Sequence, residues 1–227
     1  MPNTYEVSIS LDNETIQQLY AGGYSLQIFK GAKSSQNNAL IALWTTVKEF
    51  ANTIMLNWSV PYGIFYGEQT TIKNGVIEVY NTQAAPLGSV ITILQDGTAN
   101  VVPGAGDSFT IQNELSGFSE YSCGLIQSIN SGKPVPTCII SSPIAANNVI
   151  GPLETLVLTF SKANTQAGTI VEQTTTPSVT IMLSNKVNAV SLGFDINDGW
   201  SNNNNSPNIT INPLDIILAQ SLIVPVN

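Results

Sequence analysis

The segment FDINDGWSNNNN, residues 194–205, brings two carboxylates, an amide and a tryptophan close together in the chain. Asp195, Asn197 and Asp198 offer oxygen ligands for a cation, but their spacing to the following glycine does not fit an EF-hand loop, and the required glutamate is absent. A sugar fits these groups better, because Trp200 supplies an apolar ring face beside planar hydrogen-bonding groups. We therefore predict that any ligand here is neutral and polar, with no metal.

The alternative for this segment is a tight turn without a ligand. Asp198-Gly199 is a common hairpin dipeptide, and the run of asparagines is typical of a solvated loop. Phe194 and Ile196 alternate with Asp195 as they would in a strand. In this interpretation, which we favour, the tryptophan folds onto the sheet.

A second candidate site is the aromatic-rich segment NWSVPYGIFYGEQ, residues 57–69. Strand alternation predicts that Trp58 faces inward, and that Tyr62 and Tyr66 share one face while Phe65 points to the other. If the face with the two tyrosines is exposed, it would stack on sugar rings or lie at the level of lipid headgroups. The alternative is a core-facing strand near a sheet edge.

Most catalytic chemistry lacks its usual residues in this chain. There is no His, all seven positive charges are Lys, and the net charge is −8. Without His the commonest general base and transition-metal ligand is missing, and without Arg there is no bidentate fork for phosphate. Carboxylate pairs for glycoside hydrolysis need neither residue, but no motif marks one. The sequence predicts a non-enzymatic protein that has no cofactor and does not bind nucleic acid.

Short β-branched segments recur along the chain and predict an all-β fold. Segments such as TYEVSISL, NTIMLNWSV, TLVLTF and SVTIML alternate with turn clusters such as KNG, QDG, PGAGD and NDG. This pattern favours an antiparallel β-sandwich, Greek-key or jelly-roll-like, in a single domain over residues 1–227. One short N-terminal helix is predicted at DNETIQQLYAGG, where Asp12 caps the start and Gly22 or Gly23 ends the helix.

A faint internal repeat divides the chain into halves, 1–101 and 108–227. The segment TIMLNWS, residues 53–59, recurs as TLVLTFS, residues 155–161, and each follows a Tyr-Ser pair. A true duplication would let each half supply one layer of the sandwich or one Greek key. The alternative is that similar strands look alike without common origin.

Cys123 and Cys138 are the only two cysteines. A hairpin centred near Asn130 would place them roughly opposite each other, so a disulfide and a pair of buried thiols both remain open. The first ten residues show neither the basic nor the apolar region of a signal peptide, so we expect synthesis in the cytosol and, for an exported protein, a leaderless route.

Three segments of the second half carry a resemblance to other proteins. They are CGLIQ at 123–127, GPLETLVLTF at 151–160 and FDINDGW at 194–200. In that order they resemble segments of small leaderless bacterial and fungal proteins of unknown function. The resemblance implies no activity, cofactor or site residue.

Two functions fit this pattern. The first is a lectin-like or small cytolysin-like recognition protein that binds glycans or membrane surfaces, since the chain is poor in charge and rich in amides. Its predicted ligand-binding residues are Asp195, Asn197, Asp198, Trp200, Tyr62 and Tyr66. The second is a self-assembling structural or storage protein, because few charges weaken repulsion between copies. In that case we predict a homo-oligomer with the apolar residues 214–226 as a contact.

Overall fold

A computed structural model describes residues 4–69, 72–116, 121–142, 147–202 and 204–226. These residues form 18 strands and two helices. The helices are α1 (Asn13–Ala21) and α2 (Leu218–Leu222). The strands are β1 (Thr4–Ser10), β2 (Ser25–Ser34), β3 (Leu40–Ile41), β4 (Leu43–Val47), β5 (Thr53–Ser59), β6 (Gly63–Gly67), β7 (Asn81–Ala84), β8 (Val90–Ile93), β9 (Ala99–Val102), β10 (Phe109–Asn113), β11 (Ser122–Gln127), β12 (Val135–Ser141), β13 (Asn147–Ser161), β14 (Ser178–Met182), β15 (Ala189–Asp195), β16 (Gly199–Ser201), β17 (Ile209–Asn212) and β18 (Ile223–Pro225).

Three sheets build the protein, and the largest lies between the other two. The nine-stranded central sheet runs β17-β14-β13-β10-β8-β9, and β2, with β4 and β18, pairs alongside β13. Leu156 and Leu158 of β13 enter a core shared with the four-stranded sheet β16-β15-β1-β5. Val157, on the opposite face, enters a second core shared with the five-stranded sheet β3-β12-β11-β6-β7. The predicted all-β sandwich is confirmed.

Burial along each strand follows its place in these layers. In β5 the buried residues Ile54, Leu56 and Trp58 alternate with exposed ones, because this outer strand has one face on the core. In β2 eight consecutive residues are buried, because the central sheet is covered on both faces.

The predicted helix is also confirmed. The Asp12 side chain accepts a hydrogen bond from the Thr15 backbone nitrogen at 2.6 Å, and Gly22 is the C-cap. Leu19 is fully buried and anchors the helix on the first core.

Strands from the two halves of the chain mix in every sheet. Strand β1 pairs with β15, β2 with β13 and β6 with β11. Neither half of the chain therefore supplies a sheet of its own. Residues 53–59 and 155–161 do both form strands, but the first pairs with β1 and the second with β2.

The two cysteines lie on the predicted hairpin, β11 to β12. Its tip passes through Asn130 and Ser131, which have φ angles of 49° and 58°. Cys123 pairs with Ile140 and Cys138 with Leu125, two pairs further along the ladder, so the cysteines are not direct cross-strand partners. Both are free buried thiols.

The C-terminal segment folds onto its own chain. Leu218 and Leu222 of α2 enter the second core, β18 pairs in parallel with β2, and the Val226 backbone nitrogen donates to the Ser34 carbonyl at 2.9 Å. Leu214, before the helix, remains 77% exposed. No helix in the described part of the chain has the length and apolar character to cross a membrane.

Candidate functional site

The predicted segment around Trp200 forms a tight turn between β15 and β16. The Asp195 carboxylate accepts hydrogen bonds from the backbone nitrogens of Asn197 at 2.7 Å and Asp198 at 3.0 Å. Gly199 has a φ of 81°, in the left-handed region that favours glycine. The predicted tight turn is therefore present, and the Asp195 carboxylate holds it.

Asn197, Asp198 and Trp200 nevertheless line one cleft of about 370 Å³, the Trp200 cleft. Half-buried Tyr24 and Phe194 line it as well. Behind them, the Trp200 ring stacks on Phe160 at 5.4 Å and meets Phe194 at 5.0 Å between centroids. The indole nitrogen donates to the Pro177 carbonyl at 3.3 Å. The cleft therefore combines a fixed aromatic wall with an exposed amide and carboxylate.

Tyr62 and Tyr66 share one face as predicted, but that face is buried. Each tyrosine is only 4% exposed and lies in the second core. Phe65 lies in a third, smaller core on the other face of β6, so this strand is covered on both sides. The condition of an exposed aromatic face is not met, and the alternative of a core-facing strand holds.

A buried ion pair, which the sequence reasoning did not single out, lies close to Tyr62. The Lys30 Nζ atom is 2.5 Å from Oε2 of Glu154, and their side chains are 1% and 12% exposed. The same carboxylate accepts hydrogen bonds from Trp58 Nε1 at 2.7 Å and from the Tyr62 hydroxyl. One carboxylate thus connects the central sheet to the four-stranded sheet and to the segment that leads into the five-stranded sheet.

Aromatic rings surround the Lys30 ammonium group. Its nitrogen lies 4.9 Å from the Trp58 ring centroid, 5.1 Å from Trp44 and 5.5 Å from Tyr62. Burial lowers the pKa of Lys30 to about 8, although the Glu154 carboxylate acts in the opposite direction. Cation–π attraction and the ion pair compensate part of the cost of burying this charge.

A third buried polar residue, Gln127, lies beside Trp44, one of the rings around Lys30. It is 2% exposed, and its backbone carbonyl accepts a hydrogen bond from Trp44 Nε1 at 2.9 Å. Its side-chain nitrogen donates to the Ser59 carbonyl at 3.2 Å. Its side-chain oxygen Oε1 is buried and has no hydrogen-bond partner among the described residues.

Trp58, Tyr62 and Gln127 line a second cleft, the Gln127 cleft, of about 360 Å³. None of its described lining residues carries a charge. The other polar residues that line it are Thr4, Asn57, Ser59, Thr82, Ser128 and Ser131.

Irregular strand pairing places these buried polar side chains. Lys30 lies one residue beyond the register shift between β2 and β4, and Gln127 one residue beyond the shift between β11 and β12. Glu154 lies within the shift between β13 and β2. Such irregularities redirect side chains and are frequent near functional sites. In the sequence, the only indication of the ion pair was Lys30, a single charged residue within the weakly polar segment SLQIFKGA.

In the described part of the chain, no group of three or more Cys, Asp or Glu side chains lies close enough to hold a metal ion. No family model, curated protein or solved structure matches this chain. The resemblance carried by residues 123–127, 151–160 and 194–200 therefore stays a prediction.

Proposed function

We propose that the protein is a non-enzymatic recognition protein that binds a glycan in the Trp200 cleft. The observation that carries this proposal is the meeting of Asn197, Asp198 and an aromatic wall in one concave site. Sugar rings present apolar C–H faces and outward hydroxyls, and such a site offers a partner for each.

Different residues of the cleft contact the ring faces and the hydroxyls of the sugar. Most of the Trp200 surface is covered by its aromatic neighbours, so half-buried Tyr24 and Phe194 supply the accessible ring surface. Asn197 and Asp198 are exposed and accept or donate hydrogen bonds to hydroxyls. Trp200 acts as the support that holds the wall in place.

A neutral glycan suits this cleft better than an anionic membrane surface. The net charge of −8 repels phosphate headgroups, and Tyr62 and Tyr66, which would have to be exposed to lie among them, are buried. Vesicles of anionic lipid therefore serve as the comparison ligand.

An array of neutral and sialylated glycans tests the proposal. Asn197→Ala and Asp198→Ala change exposed side chains, so we expect folded variants that lose at least about tenfold in affinity for the neutral glycan that binds. Glu114→Ala, an exposed carboxylate outside the cleft, is the matched control and retains binding. Binding to no glycan, binding only to anionic vesicles, or equal affinity of all variants would overturn the proposal.

The second function, self-assembly, is favoured by one observation at the C-terminal segment. Strand β18 pairs only with β2 among the described strands, which leaves its other edge open, and Leu214, Ile217 and Val224 nearby are exposed. Light scattering across a concentration series tests it. Self-assembly predicts a rising mass that Val224→Lys abolishes, whereas a constant monomer mass contradicts it.

A further inference from the structure

We propose that the Gln127 cleft is a second binding site, which takes a neutral sugar ring through a hydrogen bond from the ligand to Gln127 Oε1. This inference does not rest on the Trp200 cleft. It rests on the buried acceptor without a donor, on the uncharged lining and on the ion pair behind the aromatic rings.

The acceptor is the first step of the argument. A buried amide oxygen without a donor is unfavourable, because folding removes its hydrogen bonds to water and returns none. Gln127 Oε1 is in this position, and the residue lines an open cleft. A ligand hydroxyl that donates to this oxygen restores the hydrogen bond lost on folding. Binding therefore offsets part of the free-energy cost of burying the oxygen.

The Gln127 side chain is able to meet such a ligand. Its backbone is fixed, because it pairs with Val135 of β12 and its carbonyl accepts from Trp44. Its side-chain amide is held by one long hydrogen bond, 3.2 Å to Ser59. A rotation of the amide that turns Oε1 toward the cleft would break this one bond and leave the strand in place.

The rings of the cleft are held rigidly before any ligand binds. Trp58 and Tyr62 both donate to Glu154, so neither ring turns freely. A rigid aromatic wall lowers the entropy lost on binding. Because the two rings are only 3% and 4% exposed, they form a firm base for the cleft, and the polar lining residues supply the hydrogen bonds to the ligand.

Charge selects a neutral ligand. The Lys30 ammonium lies 4.9 Å from the Trp58 ring centroid and 5.5 Å from that of Tyr62, so a second cation over these rings is repelled. An anion finds no positive side chain among the described lining residues and meets a protein of net charge −8. Hydroxyl and amide groups, from residues such as Asn57 and Ser128, complete a lining that suits a polyhydroxylated ring.

Nuclear magnetic resonance titration tests this site directly. The ligands are glucose, galactose, mannose and N-acetylglucosamine, with choline and sulfate as charged comparisons. At least one neutral sugar should shift the Trp58 indole N–H and the Gln127 side-chain amide signals at millimolar concentration, while choline and sulfate leave them unchanged. Absence of these shifts with every neutral sugar, or equal shifts with choline or sulfate, would overturn the proposal.

Substitutions of Gln127 test whether its Oε1 atom accepts the hydrogen bond from the ligand. Gln127→Met keeps a similar side-chain length without a carbonyl, and we expect at least a tenfold weaker affinity. Gln27→Met is the matched control, because Gln27 is also buried and donates to a backbone carbonyl, that of Ala163, but does not line this cleft. Gln127→Asn, which withdraws the carbonyl, gives the same loss should Gln127→Met not fold.

Unchanged affinity in the folded Gln127 variants would overturn the role of Oε1. Asp198→Ala separates the two clefts, because it leaves the Trp58 and Gln127 signals and their affinity unchanged. A parallel loss in Asp198→Ala would instead place the ligand in the Trp200 cleft and contradict a second site.

Discussion

The Trp200 cleft and the Gln127 cleft have similar volumes but are constructed differently. In the first, the exposed polar residues Asn197 and Asp198 come from one hairpin turn. In the second, the polar lining residues come from segments distant in the chain. Gln127 among them is buried, and the buried Lys30–Glu154 pair lies behind the Trp58 and Tyr62 rings. The first site is thus an addition to a sheet edge, whereas the second belongs to the structure that holds the sheets together. Substitutions in the Trp200 cleft should therefore lower ligand affinity with little change in unfolding free energy. Substitutions around the Gln127 cleft should lower both.

Removal of the Glu154 carboxylate should have the largest effect. Glu154→Ala leaves the Lys30 ammonium, Trp58 Nε1 and the Tyr62 hydroxyl without their acceptor, and such a loss costs about 3–5 kcal/mol of unfolding free energy. Asp198→Ala should change it by about 0.5 kcal/mol or less. Urea denaturation measures both. The double variant Lys30→Met with Glu154→Leu should regain much of the loss, and a cost below about 1 kcal/mol for Glu154→Ala would contradict the coupling.

The Lys30 pKa of about 8 predicts a pH dependence of stability. The unfolded chain holds this proton up to its ordinary pKa of 10.5, so the unfolded state binds more protons between about pH 8 and 10.5. Stability therefore rises with pH in this range, by about 2 kcal/mol between pH 7 and pH 9.5. The measurement is the difference in unfolding free energy between the wild type and Lys30→Met, in which titrations common to both chains cancel. A difference that is constant with pH would contradict the prediction.

Substitutions in the turn beside the Trp200 cleft should lower the unfolding free energy by a smaller amount. Asp195→Ala removes the acceptor of two backbone hydrogen bonds, which we expect to cost about 1 kcal/mol. Asp195→Asn keeps an acceptor oxygen and should cost less. Thermal unfolding compares the two variants, and equal losses would show that the charge, and not the acceptor, holds the turn.

The smallest expected effect concerns the cysteines, which share the second core with Tyr62. Burial raises the pKa of Cys123 to about 12 and that of Cys138 to about 11, so neither forms a reactive thiolate in the folded protein near neutral pH. Mass spectrometry should find no alkylation at pH 8 without denaturant and labelling of both thiols in urea. Glu154→Ala should increase the labelling rate, whereas Asp198→Ala should not.

Local patterns were sufficient to predict much of this fold. The alternation of Ile54, Leu56 and Trp58, the Asp12 cap and the Asp198-Gly199 turn depend on neighbours within a few residues. The Trp200 turn was predictable for the same reason. Its cleft was not, because Tyr24 and Thr176 reach it from elsewhere in the chain.

The Gln127 cleft depends on information that a single sequence does not display. Lys30 is buried because the central sheet is covered on both faces, and its partner Glu154 lies 124 positions away. The burial of Tyr62 and Tyr66 has a similar origin. Alternation predicts that the two rings share a face, but which face is covered depends on how the sheets stack.

The pairing of β1 with β15 also has a consequence for biosynthesis. Glu6 lies opposite Ala189 in a parallel ladder, so nearly the whole chain must leave the ribosome before β1 gains its second neighbour. Until then β1 is able to pair only with β5, and the first core remains open on one side. Contacts of such long sequence separation slow folding, so the first core closes late and after translation of β15. A nascent chain halted before residue 189 would expose an apolar strand edge that the finished protein covers.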